Sequence, residues 1–76
     1  MGLPHESIDW VSEILFRIGF SCSFPTCKRR AVFAANAGPA VPVYLCYSHG
    51  LEYARDKRID PGFRPKWIPE HSVRDR

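Results

Sequence analysis

Four side chains with metal-binding chemistry stand in two close pairs. Cys22 and Cys27 enclose Ser23, Phe24, Pro25 and Thr26, and Cys46 and His49 enclose Tyr47 and Ser48. Every cysteine of the chain belongs to this set. Thiolate sulfur and neutral imidazole suit a borderline-soft divalent ion, and three thiolates with one imidazole fill a tetrahedron. The expected occupant is a structural Zn2+ held by Cys22, Cys27, Cys46 and His49. A filled ligand shell leaves no position for a catalytic water. An iron–sulfur cluster is the alternative occupant of such a set, and buried, unliganded cysteines are the reading without a metal. His71, and after it His5, would substitute for His49. Lys28, Arg29 and Arg30 follow the second ligand directly and can offset the excess negative charge of three thiolates. Backbone amides of the Cys22–Cys27 loop are expected to share that task.

The size of the chain makes a metal useful. With 76 residues it forms one domain, and domains this small bury a low fraction of their surface and usually need a staple. A hydrophobic share of 45% against 25% charged residues excludes a fully disordered chain. An odd number of cysteines argues against a closed set of disulfides and for a reducing compartment. The N-terminus lacks the basic start and apolar run of a signal peptide, and no stretch reaches membrane-spanning length. These features predict a soluble, cytoplasmic protein.

The elements that must position the ligands follow from local pattern. Residues 5–18 place Ile8, Val11, Leu15 and Ile18 at helical spacing, with Trp10 and Ile14 widening the stripe. Glu6, Asp9 and Glu13 suit the start of such a helix, Arg17 its end, and Gly19 a stop. Residues 22–27 make a tight loop. Residues 30–35 and 40–46 read as two strands around a turn at Asn36, Ala37, Gly38 and Pro39. Pro42 cannot donate to a ladder, so the second strand lies at an edge or carries a bulge. A second helix is expected from Tyr47 to Arg58, capped by Ser48, with Leu51 and Ala54 facing inward and Asp60, Pro61 and Gly62 ending it. The tail reads as extended, ordered where Phe63, Trp67 and Ile68 dock.

The order of ligand loop, strand, turn, strand, second ligand pair and helix resembles the treble-clef zinc finger. In that family a knuckle supplies two ligands and the first helical turn after a hairpin supplies two more. Cys22 and Cys27 match the knuckle, and Cys46 and His49 match the helix start. The resemblance covers about residues 20–58; four residues separate the first pair, where the commonest pattern has two. It implies a small α+β zinc-binding domain with an N-terminal amphipathic helix, a zinc knuckle, a β-hairpin, a short helix and an extended tail. The expected divisions are a helix packed on the domain over residues 1–20, a treble-clef-like zinc module over 21–60 and a proline-rich basic tail over 61–76.

Treble clefs serve many unrelated roles, so function must be argued from surfaces. Nucleases of the His-Asn-His type need a histidine at the end of the first hairpin strand. Here that strand offers Val32, Phe33, Ala34 and Ala35 before Asn36, which excludes the reading. With no glycine-rich phosphate loop and no serine–histidine–acid pattern, the chain is not expected to be an enzyme. The net charge is +3, yet residues 1–20 carry Glu6, Asp9 and Glu13 against Arg17 alone. The basic groups gather later, as Lys28, Arg29 and Arg30, then Arg55, Lys57 and Arg58, then Arg64 and Lys66 beside Trp67. Cations contact phosphates and exposed aromatics stack on bases, so a nucleic-acid-binding module is the first expectation. The alternative is a protein adaptor or inhibitor, or a homodimer. It would dock through Trp10, Ile14, Phe16 and Phe20 of the first helix, or through the basic face.

Overall fold

The structure, a computed structural model, describes residues 6–37 and 41–68. The elements run in the order β1 (Glu6–Trp10), α1 (Glu13–Ile18), β2 (Phe33–Ala37), β3 (Val43–Leu45) and α2 (Tyr47–Lys57). The strands form one antiparallel sheet in the order β1-β2-β3, with Trp10 opposite Phe33, Ile8 opposite Ala35, and Phe33 opposite Leu45. Two further backbone bonds extend the pairing, from Val11 N to Val32 O and from Val32 N to Leu45 O, each 2.9 Å.

The first segment differs from its helical expectation. Residues 6–10 are a strand, and only Glu13–Ile18 is helical. Ile8 and Trp10 also recur with period two, and β2 has an edge left over once β3 has paired. Taking that edge satisfies the backbone of both strands and lays Ile8 in the core, 2% exposed. Ser12 then restarts the chain as a helix. Its backbone is extended (φ −68°, ψ 157°) and its hydroxyl accepts from Leu15 N at 3.3 Å. Gly19 ends α1 as expected, in the left-handed region (φ 95°) that glycine enters freely, and its N–H donates to Leu15 O and Phe16 O.

The first hairpin strand is displaced towards the turn, and the second, expected over residues 40–46, is shortened to Val43–Leu45. Asn36 and Ala37 belong to β2 rather than to the turn, because residues 30 and 31 pair backwards with Ser21 and Phe20. Gly38, Pro39 and Ala40 lie outside the described residues. Pro42 precedes the edge strand β3 and so removes no ladder bond. The second helix has the expected extent, with two changes. Cys46, not Ser48, is its N-cap, and Leu51 is exposed while Gly50 and Ala54 face the core. Gly50 lies under the Phe33 ring, where an added Cβ would collide with the aromatic carbons.

Phe33 is fully buried at the centre of the core. Trp10 packs on it at 4.4 Å between ring centroids and Tyr47 at 6.1 Å. A second aromatic pair, Phe16 and Trp67 at 5.2 Å, joins α1 to the tail. Ile68 docks as expected and is fully buried, whereas Phe63 is 96% exposed and docks nowhere. Residues 69–76 of the predicted tail lie outside the described residues. Among the described residues no helix is long and apolar enough to cross a membrane.

Candidate metal centre

The first ligand pair sits on a closed loop. Ala31 N donates to Phe20 O at 2.7 Å, Cys22 N to Arg29 O at 2.9 Å, and Cys27 N to Phe24 O at 3.0 Å. The loop is fastened to the sheet by Ser23 N, which donates to Tyr44 O at 2.8 Å. The second pair comes from the place where β3 becomes α2. Cys46 is the last extended residue (φ −72°, ψ 177°), and its sulfur accepts from His49 N, closing the first helical turn. One residue thus ends a strand, caps a helix and presents a ligand.

The four donors converge. Nδ1 of His49 lies 3.3 Å from the sulfurs of both Cys22 and Cys46, and the sulfurs of Cys27 and Cys46 are 3.7 Å apart. All four ligand atoms fall within 4.8 Å of one another. A tetrahedral zinc with bonds of about 2.0–2.3 Å separates its ligand atoms by roughly 3.5–3.8 Å. The cluster is therefore pre-spaced for such an ion, and three soft sulfurs with one imidazole nitrogen suit its chemistry. The three cysteines are buried and the imidazole is half-buried. Phe24, inside the loop, stacks flat on the His49 ring at 3.8 Å and 4° between planes. That contact fixes the plane in which Nδ1 points. Phe24 was legible only as a residue between two ligands, with no signal of its role.

Electrostatics separate the sulfurs. The Cys27 thiol is lowered to about 7, first by the backbone amide of Arg29 and further by the neighbouring thiols and the Arg29 side chain, against the opposing effect of burial. The Arg29 guanidinium approaches Cys27 Sγ at 3.9 Å. The Arg29 side chain thus stands beside Cys27 as expected of a base after the second ligand, whereas the amide that faces this sulfur is that of Arg29, outside the Cys22–Cys27 loop. Burial pushes the Cys46 thiol up to about 11, with the His49 amide working the other way. A bound cation supplies the positive charge that a buried Cys46 thiolate needs.

The other predicted residues are dispersed. Lys28, Arg29, Arg30, Arg55, Lys57, Arg58, Arg64 and Lys66 are all exposed. Lys57 pairs with Glu6 at 3.4 Å, and the Arg30 guanidinium lies over the Phe16 ring at 5.1 Å. Of the apolar docking set, Ile14 alone is exposed. Phe16 is buried, and Trp10 and Phe20 are partly buried against Phe33 and Tyr44. Trp10 and Phe16 are taken up because the segment is a strand and a short helix, which turn these two rings towards different partners, Phe33 and Trp67. His5 and His71, the substitute ligands, lie outside the described residues. Comparison with protein-family models, with curated proteins and with solved structures finds no match to this chain.

Proposed function

We propose that this chain is a non-catalytic binding module folded around a structural zinc ion in a treble-clef-like arrangement, and that it contacts nucleic acid through its basic side chains. The zinc part of the reading rests on the Cys22, Cys27, Cys46 and His49 donors and their spacing. When bound, the ion keeps its thiols ionised and ties the loop to the start of α2. The nucleic-acid part is supported by one observation. Arg30 lies over Phe16, Phe16 packs on Trp67, and Arg64 and Lys66 closely precede Trp67 in the chain. The Arg30 side chain is thereby linked through Phe16 to the segment that carries the exposed Arg64 and Lys66. Phosphates are attracted by exposed cations whatever the sequence, and aromatic faces stack on unpaired bases.

The reading is tested by fluorescence anisotropy of labelled single- and double-stranded oligonucleotides with zinc-loaded protein across a salt series. Binding should be saturable and weaken steeply with salt. Replacing Arg30, Arg64 and Lys66 by alanine should lower affinity at least tenfold and flatten the salt slope by about 2–3. No binding at low salt, or an unchanged affinity in the variant, removes nucleic acid from this surface. The adaptor alternative through the first helix keeps Ile14 and gains Ile18, exposed at 70% and 66%. Two side chains make a patch well below the roughly 800 Å² per partner of a stable interface.

A further inference from the structure

Beside the metal centre, the helix α2 and the sheet part to leave an open groove of about 440 Å³. Its origin is local. Gly50 brings α2 tight against Phe33, but the next cross-strand pair along the same face is Ala35 opposite Val43. A methyl group there cannot fill the space that the aromatic ring fills one pair earlier. Ala35, Val43 and Leu45 make the floor, Phe24 and the His49 ring close the end nearest the metal ligands, and Tyr53 forms the helical wall. Much of this apolar surface is uncovered: Val41 is 81% exposed, Phe24 47% and Val43 45%.

The rim has the opposite sign to the protein as a whole. Glu6, Glu52 and Asp56 line the groove with Lys57, while the chain carries a net charge of +3. Lys57 is engaged by Glu6. Glu52 and Asp56 have no ion-pair partner among the described residues. They stand four apart on α2, a like-charge spacing that weakens an isolated helix. The helix thus holds two mutually repelling carboxylates along an apolar trough, where an incoming cation would relieve both. The same charges exclude a phosphate backbone from this face.

We propose that the groove docks an extended peptide segment of a protein partner, with a basic–apolar–basic pattern. Four helical residues advance about 6 Å along α2, and alternate residues of an extended chain are about 6.6 Å apart. Lysine or arginine at two alternate positions therefore meets Glu52 and Asp56 in turn. The apolar side chain between them turns towards Val41 and Val43. This site is separate from the basic surface around Arg30 and does not depend on it.

The test is a titration of isotope-labelled, zinc-loaded protein, followed by amide NMR shifts, with an end-blocked octapeptide built on an arginine–leucine–arginine core. Saturable shifts are expected at Val43, Leu45, Glu52 and Tyr53. The double variant Glu52→Gln with Asp56→Asn removes the charge from two exposed helical positions without disturbing the core. It should weaken binding at least tenfold, while Arg30→Ala leaves it unchanged. A peptide with glutamate in place of arginine should not bind. Equal binding of that peptide, full affinity in the double variant, or no saturation at millimolar peptide each overturns the proposal. Shifts of the same residues with protein concentration alone would overturn it in favour of a second copy of the chain. Shifts there with an oligonucleotide would overturn it in favour of nucleic acid.

Discussion

The metal centre and the Phe33 core adjoin at Leu45 and Cys46, yet they hold the chain in different ways. The core works by shape: a buried ring, a strand on either side and a glycine beneath it. The centre would work by charge, through three sulfurs and a nitrogen from two segments that are also joined by the Ser23–Tyr44 bond and the Phe20–Tyr44 and Phe24–His49 ring contacts. Errors in shape are absorbed in part by neighbouring side chains, whereas a missing ligand leaves buried polar sulfur with no counter-charge. The two halves should therefore fail on different scales and under different conditions.

The largest contrast comes from the ligands. Cys46→Ser removes a ligand and the sulfur that caps α2, and Cys27→Ser removes a ligand alone. Either should abolish metal uptake and the dispersed amide spectrum, because metal binding and folding are linked and total stability is only about 5–15 kcal/mol. A folded variant that keeps its metal would sink the ligand assignment. Acid should act next. Cys46, with its thiol raised to about 11, must lose a proton to bind metal at any ordinary pH, and Cys27, near 7, must lose another below neutrality. Protons compete, so affinity is lost as pH falls. Competition titrations with a chelator should show it dropping by about 100-fold or more between roughly pH 8 and 6, with the steeper part below 7. A flat profile would mean that neither thiol binds.

On the side of shape the effects are smaller. Gly50→Ala pushes a methyl into the Phe33 ring and should destabilise by about 1–3 kcal/mol, read as a lower midpoint in thermal or denaturant unfolding of zinc-loaded protein. The metal affinity of the folded variant should be nearly unchanged, which keeps the two halves distinct. Smallest is Ser12→Ala, which removes a cap from the one-and-a-half turns of α1 and should cost about 1 kcal/mol in the same measurement.

The same division explains what the sequence disclosed. The donor cluster was legible because metal chemistry restricts residue type and spacing, and all four candidate ligands converge. The hairpin was legible because it lies between the two candidate ligand pairs, and α2 because it starts at the second. The first segment was not. Ile8 and Trp10 fit a period of two, while Ile8, Val11, Leu15 and Ile18 fit a helix, and only pairing with the free edge of β2 decides between them. Ser12 was an available signal, since a serine ahead of Glu13 and an apolar run is an N-cap pattern. Leu51 was assigned inward on hydrophobicity alone, but the close approach of Phe33 admits no side chain at Gly50 and rotates the helix to suit. The groove was invisible because it is made by a small residue, Ala35, beside large ones on other elements.

The sulfur of Cys46 receives the His49 amide at 3.5 Å while facing the other donors. Cys22 receives no backbone amide among the described residues. A thiolate has lone pairs to spare for both a metal and an N–H, but an imidazole nitrogen has only one. The corners of this tetrahedron are therefore not interchangeable. Histidine in place of Cys22 exchanges one donor for another, whereas histidine in place of Cys46 must choose between the ion and the helix. With a metal bound, such a set would tolerate drift at Cys22 more readily than at Cys46, although the metal itself accepts either atom at both.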